Sequence, residues 1–300
     1  MIDLCRIGGI TLIPAKNEAY NTIEAIGAGF VCDFYVKDIE KRGEGIPGGY
    51  RCDAVTNIDH HAPTERMACM VSSGTLALEY VAAFNRVAES GTPVVINHTD
   101  ADSILSSGIM SGVLEPEDRY GAAAIAADHT GEENAISDLL QALTDFNSPT
   151  FSFRNLNLLL QGKRLEPKAM RAYHRRLEDR ERMKRFARRF KKRGHVHYFR
   201  APYPLHSDLF WGLLPEAEVI LIHFPRRKGR GKNEVRVRLG KAAPVGLRLH
   251  TLALPNIGAR WNAGSSVRDP EGVSLSAREY ADTISEAVEE FLICQPEDCE

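Results

Sequence analysis

The chain has 300 residues, of which 43% are hydrophobic and 26% are charged, and its formal net charge is −2. That balance is typical of a globular protein with a large core and excludes a general nucleic-acid-binding protein, while the length favours two domains because single cores rarely exceed roughly 250 residues. Since no apolar run approaches the ~20 residues that span a bilayer and no secretion signal opens the sequence, we predict a cytoplasmic protein with no membrane partner.

In chain order, residues 1–150 alternate short apolar runs with stretches of helical periodicity. Apolar residues recur at helical spacing over 71–87, which predicts a helix. The Gly- and Pro-containing segment 43–50 is interpreted as a turn. Apolar runs predict strands at 29–36, 53–58 and 93–97. This alternation favours an α/β domain in which helices flank a parallel sheet.

A domain boundary is predicted near 145–165, with a basic helical connector at 151–194. Residues 163–193 contain 15 Lys and Arg against 4 Asp and Glu, and one long helix is predicted over 164–193, ended by Gly194. A solvated connector is the favoured interpretation because the segment has few aromatic side chains for base stacking. The alternative is a surface that guides a nucleotide or oligonucleotide by its charge.

Residues 195–300 are predicted to form a second, smaller α/β domain that binds the substrate. An amphipathic pattern over 277–292 predicts a final helix. The predicted strands are 195–203, 218–225 and 234–240, of which the last two form a hairpin with a basic tip at 226–233.

Three polar groups, each with Asp and His, lie in the first domain. They are IDHHAP (58–63), NHTDADS (97–103) and ADHTG (127–131). The first two directly follow predicted strands, and residues just past the carboxyl ends of neighbouring parallel strands line a common crevice. We therefore expect the polar side chains of these groups to lie close together.

Carboxylates and imidazoles without thiolates suit Mn²⁺, Mg²⁺ or Fe²⁺. Two such cations can share a carboxylate, activate a water molecule and hold a phosphate. A single His-His pair is more often a surface feature, and a single Asp-x-Asp is commonly a turn or a helix cap. Three such groups, two of them at strand ends, favour a two-metal site over these alternatives.

These motifs resemble those of the DHH phosphoesterases. IDHH followed by SSGTLALEYV is similar to the family's signature, and NHTDADSILSSGI resembles the HxDAD form of its exonuclease-like branch. The run YGAAAIAADHTG resembles the Ala-rich segment that ends in Asp-Thr-Gly, with His129 inserted after Asp128. Asp33 lies 26 residues before Asp59, where the family keeps a bridging Asp.

The order of the motifs departs from that of the family. The HxDAD-like motif at 98–102 follows the DHH-like motif at 59–61, whereas the family places it first. A rearranged connection would preserve the site because the positions of the side chains in space decide the chemistry.

The segment GARWNAGSSVR (258–268) resembles the family's GGHxxAAG loop, which holds substrate phosphates. Small residues, a helix N-terminus and an Arg together suit an anion pocket. The alternative is a plain loop with Trp261 in the core. The residues that the resemblance assigns to this pocket are Arg260, Asn262, Gly264, Ser265 and Ser266.

The resemblance also implies roles within the metal site. Asp59 would orient His60, and His61 would face the scissile phosphate. His129 would be either an extra ligand or an exposed residue. The implied metal ligands are Asp33, His60, His98, Asp100, Asp102 and Asp128.

Other ligand sets stay open. Asp53 is a rival for the bridging position, although it lies at the start of a strand. His195 and His197 alternate along one strand and so face the same side. His206 and Asp208 follow a Pro-rich turn.

These inferences predict a metal-dependent phosphoesterase that holds two divalent cations. Mn²⁺ is favoured, with Mg²⁺ and Fe²⁺ as alternatives. A nucleotide or short oligonucleotide is the favoured substrate, other phosphorylated small molecules stay open, and a homodimer is compatible with the sequence. The rival interpretations are a regulatory module that binds a nucleotide without catalysis and a metallohydrolase of another bond.

Overall fold

The structure is a computed structural model that describes residues 2–13, 19–61, 70–224, 233–266 and 273–294. The chain divides into two compact units, each with its own six-stranded sheet and flanking helices, which confirms the predicted α/β class. The first unit comprises residues 1–129 and 133–179, and the second comprises 130–132 and 180–300. Within the described residues, no helix is long and apolar enough to cross a membrane.

The sheet of the first unit has the order β1-β6-β2-β5-β4-β3. Its strands are β1 (Ile10–Leu12), β2 (Phe30–Cys32), β3 (Glu44–Ile46), β4 (Gly49–Cys52), β5 (Val55–Ile58) and β6 (Val94–Ile96). The predicted strands 29–36, 53–58 and 93–97 contain β2, β5 and β6, which run parallel as neighbours. All three are fully buried, which explains the unbroken apolar runs of β2 and β6, while β5 buries Thr56 and Asn57 between its apolar ends.

The sheet is mixed, and not purely parallel, because the segment interpreted as a turn forms strands. Residues 44–46 pair antiparallel with 49–52, and β4 in turn pairs antiparallel with β5. The connection requires Gly48, whose φ is +76° and where a Cβ would lie 2.3 Å from the Leu76 carbonyl oxygen. Strand β3 has two exposed residues out of three and so carries little apolar signal in the sequence.

Seven α-helices of the first unit accompany this sheet among the described residues. They are α1 (Tyr20–Ala25), α2 (Ile39–Arg42), α3 (Ser73–Phe84), α4 (Ala101–Met110), α5 (Asp118–Ile125), α6 (Ala135–Leu143) and α7 (Pro149–Leu160). Every residue of α4 is buried. Two of its hydroxyls are satisfied within the helix, since Ser106 and Ser107 donate to the carbonyls of Asp102 and Ser103. Helix α5 continues into one π-helical turn, Ala126–Thr130.

The long basic helix α8 (Pro167–Ala187) is shorter than the predicted 164–193. Its proline start suits the first turn of a helix. At the other end, Lys191–Arg193 forms an exposed edge strand, β7, which turns back at Gly194 with φ +50°. Charged side chains on an edge strand discourage pairing with other chains. The basic residues 163–193 therefore form both a helix and an edge strand, and their composition alone did not show where the helix ends.

The second sheet has the order β11-β12-β10-β9-β8-β7. Its further strands are β8 (Val196–Arg200), β9 (Val219–Phe224), β10 (Glu234–Leu239), β11 (Gly258–Ala259) and β12 (Ala263–Ser265). The three predicted strands and the final helix, α9 (Ala277–Cys294), are present. The basic hairpin tip predicted at 226–233 lies almost wholly outside the described residues.

Candidate metal centre

The polar motifs of the first unit meet at the carboxyl ends of three adjacent parallel strands. Strand β2 lies between β6 and β5 in the sheet. Asp33 follows β2, the DHH-like motif follows β5, and His98 follows β6 by one residue. The central strand therefore places Asp33 between the other two motifs, although in the sequence it precedes both.

Asp33 is the hub of the site. Its side chain is 1% exposed, and its oxygens lie 3.0 Å from His98 Nε2 and 3.7 Å from His60 Nε2. The hydroxyls of Ser73 and Ser103 donate to the same carboxylate at 2.9 and 2.7 Å. Burial acts to raise the pKa of Asp33, but the hydrogen bond with His98 and the nearby imidazoles outweigh it and lower the pKa. The carboxylate is thus held ionised at the centre of the cluster.

His60 presents one ring nitrogen to several carboxylates. Its Nδ1 lies 2.7 Å from the carbonyl oxygen of Val71, an acceptor that fixes the proton on Nδ1 and leaves the lone pair on Nε2. Nε2 lies 3.1 Å from Asp128 Oδ2 and 3.7 Å from a carboxylate oxygen of Asp102, yet it forms no hydrogen bond with any described residue. Burial opposes protonation, but the close carboxylate of Asp128 and the other carboxylates around the ring raise the pKa of His60 to about 9.

His98 and Asp100 face Asp33 from the other side. The Nδ1 atom of His98 contacts the side-chain oxygen of Asn97, so its Nε2 is directed at Asp100 Oδ2, 3.1 Å away, and at Asp33. The other oxygen of Asp100 caps α4 by accepting from the Ser103 amide at 3.0 Å. Burial opposes protonation here too, but the hydrogen bonds with Asp100 and Asp33 raise the pKa of His98 to about 11.

Asp128 and His129 lie in the π-turn at the end of α5. A π-turn holds one more residue than an α-turn, and His129 is the residue by which this segment exceeds the Asp-Thr-Gly pattern. The sequence left open whether His129 is exposed, and the structure shows it 2% exposed, with Nε2 lying 2.8 Å from the Val71 carbonyl. His60 and His129 therefore share one acceptor.

Three overlapping groups of side chains could each hold a cation. Within a group, one potential ligand atom from each residue lies within 4.8 Å of the others. Asp33 belongs to two groups and His60 to two, so that the groups form a chain across the site. They are Asp33, His98 and Asp100; Asp33, His60 and His61; and His60, Asp128 and His129.

Asp102, predicted as a ligand, belongs to none of these groups. Its side chain is fully buried, and its two oxygens accept from the amides of Ser73 and Gly74 at 2.7 and 2.6 Å, at the start of α3. Burial, together with the neighbouring carboxylates, raises its pKa well above the ordinary value. The structure therefore gives Asp102 a structural role, in which one carboxylate joins α4 to the positive end of α3.

Asp59 orients His61, whereas the predicted role was to orient His60. Its Oδ1 lies 2.8 Å from His61 Nδ1, while the backbone of Val71 takes the place beside His60. The His61 side chain is 39% exposed and keeps its Nε2 for a substrate. Burial opposes protonation, but the hydrogen bond with Asp59 and its charge raise the pKa of His61.

The donor set fits divalent cations. An unpaired, buried imidazole nitrogen directed at carboxylate oxygens is what a bound cation would satisfy, and the combination of imidazole with carboxylate suits Mn²⁺ or Fe²⁺ better than Mg²⁺. The raised pKa values of the histidines have the same origin, since protons supply the positive charge that the carboxylates require. Each of His60, His61 and His98 has its Nδ1 on an acceptor oxygen, an arrangement typical of metal ligands.

The predicted phosphate pocket of the second unit is instead a β-hairpin. The carbonyl of Asn262 accepts from the Leu239 amide, and the Ser266 amide donates to Val235, so that the two ends of the segment are separated by four residues of β10, or about 13 Å. Arg260 lies in the turn between β11 and β12. Gly264 and Ser265 lie within β12. The five residues therefore lie along the hairpin, some in its turn and some in β12, and do not surround one point.

The helix N-terminus invoked for that pocket is capped by its own chain. The Ser276 amide donates to Glu279 Oε2 at 2.8 Å, and the Glu279 amide donates to Ser276 Oγ at 3.3 Å. This reciprocal pair occupies two of the amide donors at the start of the helix. Trp261 packs, partly buried, against the core of the second unit, as the alternative interpretation expected.

The other sets considered from sequence are not assembled as sites in the described residues. Asp53 lies in the turn before β5, where it accepts from the Tyr20 hydroxyl, and so belongs to the opposite end of the sheet. His195 and His197 pair with different carboxylates, those of Glu218 and Glu216. None of the candidate cation groups includes them.

No family model matches the chain, and no curated protein matches it. Among solved structures it is similar to the pGpG-specific phosphodiesterase PggH from Vibrio cholerae, at 10% identity and a TM-score of 0.42, over 77% of this chain and 97% of that one. It is also similar to an exopolyphosphatase-related protein from Bacteroides fragilis (12% identity, TM-score 0.33, 68% and 61% covered) and to the exonuclease RecJ bound to manganese (12%, 0.34, 81% and 84%).

Proposed function

We propose that the protein is a metal-dependent phosphoesterase. Its cations are held by the Asp and His side chains that meet at the carboxyl ends of β2, β5 and β6 in the first unit. The observation that carries the proposal is the position of Asp33, a buried carboxylate shared by two groups of potential ligands. A carboxylate shared in this way suits two cations roughly 3.5–4 Å apart. Such a pair, when bound, lowers the pKa of a water molecule and neutralises charge on a phosphate.

The chain's own residues supply orientation and proton transfer. His60 and His98 are immobilised by hydrogen bonds on the ring nitrogens that would not face a cation. Asp33 is held in place by the hydroxyls of Ser73 and Ser103. His61 is held by Asp59 through Nδ1, and its raised pKa favours the protonated form, so that Nε2 can donate a proton to a departing oxygen. The exposure of His61 leaves that atom within reach of a substrate.

For the substrate we propose a nucleotide or a short oligonucleotide, with Mn²⁺ as the cation. Imidazole ligands support Mn²⁺ over Mg²⁺. The anionic substrate is supported by an exposed basic row on α8, which Lys168, Arg171 and Arg175 form at helical spacing within the first unit.

The test compares the parent protein with Asp100→Ala, using a chromogenic phosphodiester with added Mn²⁺ and elemental analysis of the same samples. Asp53→Asn is the matched control, because it changes a carboxylate of the same unit at the opposite end of the sheet. We expect hydrolysis by the parent and the control, and loss of both hydrolysis and bound metal in Asp100→Ala. Full activity of Asp100→Ala, or a parent that takes up no divalent cation, would overturn the proposal.

A further inference from the structure

An exposed phenylalanine of the first unit is tied to the metal centre through a short turn. The hydroxyl of Thr99, a residue that is 1% exposed, donates to the carbonyl oxygen of Thr144 at 3.1 Å. Thr99 directly follows His98 and precedes Asp100, two of the potential cation ligands. Thr144 begins a 3₁₀-helical turn that ends at Phe146, and because such a turn rises about 2 Å per residue, Phe146 lies roughly 4 Å along it from Thr144. A hydrogen bond between neighbouring segments therefore keeps this aromatic residue close to the metal centre.

Phe146 forms an aromatic pair with Phe151, the third residue of α7. The two ring centroids are 4.8 Å apart, with an angle of 41° between the ring planes. Phe146 is 37% exposed, whereas Phe151 packs, partly buried, against the hydrophobic cluster that contains Ala169 and Ala172 of α8. The inner ring thus anchors the exposed ring to the core of the unit. An aromatic side chain has only two rotatable bonds, so that ordering it against a ligand costs little entropy.

A row of cations follows on the helix that the inner ring approaches. Lys168, Arg171 and Arg175 are exposed and lie at helical spacing on α8, and the first two directly precede the two alanines of the cluster. Residues 163–175 contain five Lys and Arg against one Glu. The aromatic pair is therefore in contact with a segment fixed to the metal centre at one end and with a strongly basic helix at the other.

This combination of groups suits a single-stranded nucleic acid. Proteins bind such strands by stacking bases on aromatic side chains and by placing basic side chains along the phosphates. In a duplex the bases are stacked on one another, so that only an unpaired base can lie against a protein ring. A phosphate ester without a base could use the cations of the site and the basic row, but it would gain nothing from Phe146.

We propose that Phe146 is a specificity-determining residue, which stacks on an unpaired base of an oligonucleotide while a phosphate of the same strand occupies the cation site. The basic row of α8 then takes further phosphates of that strand. The inference rests on the proposed function, since it requires a phosphate at the cations. All the residues that it uses lie in the first unit.

Phe84 provides a matched control in the same unit. It is 38% exposed, and its ring centroid lies 4.8 Å from that of Tyr80 at 43°, so that its exposure and its pairing nearly equal those of Phe146. It is the last residue of α3, whose first residue, Ser73, donates to Asp33 at the metal centre. Since an α-helix rises 1.5 Å per residue, Phe84 lies roughly 16 Å along the helix from that end.

The experiment measures steady-state hydrolysis, with Mn²⁺, of a short oligothymidylate and of the same strand with abasic residues in place of every thymidine. We expect Phe146→Ala to raise KM for the oligothymidylate by about tenfold with kcat little changed, and to leave hydrolysis of the abasic strand as in the parent. Phe146→Leu should behave in the same way, because it keeps an apolar side chain without an aromatic face, and it guards against loss of the fold in Phe146→Ala. Phe146→Trp should restore the parent KM, and Phe84→Ala should match the parent on both strands.

Equal hydrolysis of the two strands by the parent, or an equal loss on both strands in the Phe146 variants, would overturn the inference and leave the proposed function standing. The same loss in Phe84→Ala would also overturn it, because the effect would then follow exposed aromatic residues in general. A parent that hydrolyses the chromogenic phosphodiester and neither strand would exclude base recognition alone. A parent that hydrolyses none of the three substrates would remove the proposed function and the inference together.

Discussion

The two units arrange their polar residues in opposite ways. In the first unit, side chains from segments as distant as Asp33 and Asp128 converge on one cluster, because adjacent parallel strands end at the same edge and α5 brings its last turn to that edge. In the second unit, the consecutive residues 260–266 are drawn out along a hairpin, with Arg260 and Ser266 at opposite ends of β12. Side chains that are far apart in the sequence can therefore lie together in the fold. Consecutive residues can be held apart when they lie along a strand.

The largest effect is expected for Asp33, which belongs to two of the three candidate cation groups of the first unit. Asp33→Asn should abolish phosphodiester hydrolysis and lower Mn²⁺ affinity by at least about a hundredfold, because one substitution removes charge from both groups that contain it. Elemental analysis and steady-state rates check this. An Asp33→Asn protein that retains two tightly bound cations would show that the convergence of these side chains has no bearing on metal binding.

The next prediction distinguishes a structural carboxylate, Asp102, from the potential metal ligands of the same cluster. Asp102→Asn should lower the free energy of unfolding, measured with a chelator present, by about 1–3 kcal/mol, since the amide can satisfy only one of the two backbone donors at the start of α3. Chemical denaturation of the metal-free protein measures the change. Stability equal to that of the parent would contradict the structural role assigned to Asp102.

The hairpin of the second unit gives a smaller, local effect. Ser266→Ala should cost about 1–2 kcal/mol of stability, because the buried Ser266 hydroxyl accepts from the Val235 amide at 3.0 Å. Arg260→Ala, in the partly exposed turn, should leave stability unchanged. If both substitutions raise KM for a phosphate substrate by the same factor, then the two residues act at one pocket and the separation seen along β12 is irrelevant to binding.

The convergence at the first sheet was predictable from sequence because it depends on two strong signals. Fully apolar runs mark buried parallel strands, and polar residues directly after them mark a crevice. The roles of Asp59 and Asp102 could not be predicted in that way, since each depends on which neighbouring donor or acceptor lies nearest, including backbone groups such as the Val71 carbonyl. The resemblance supplied the residue types but not their partners.

The remaining failures have physical reasons of their own. The segment 43–50 was interpreted as a turn because of its glycines, but it contributes to a short hairpin at the edge of the sheet. Only one residue of β3 is half-buried, so the strand has little apolar signal. Arg180 is buried and donates to the carbonyl oxygens of Gly131 and Glu132. The sequence did not indicate this, since one Arg within a basic helix cannot be distinguished from its solvated neighbours. Position 131 did carry a signal, a Gly directly after a polar motif, which is consistent with its positive φ.

The smallest effect concerns the pH dependence of the second unit, where two buried histidines, His197 and His223, lie in the sheet and only His197 has a carboxylate partner, Glu216. Burial lowers the pKa of His197 and of His223, whose Nδ1 atoms have no hydrogen-bond partner among the described residues. Because the folded-state pKa lies below the unfolded value of about 6.5, the unfolded chain binds more protons in acid, so the stability that these residues contribute is present above pH ~6.5 and is lost as the pH falls through their folded-state pKa values.

Unfolding of the protein by denaturant at several pH values between about 7 and 5 tests this, with chelator present so that the metal centre does not contribute. The double variant His197→Gln and His223→Gln should lose less stability over that range than the parent does. An identical slope in both proteins would show that His197 and His223 do not carry the acid sensitivity. The histidines beside Asp33 cannot account for it either, because their raised pKa values give the opposite sign: they stabilise the fold most when protonated, and that stability is lost only as the pH rises.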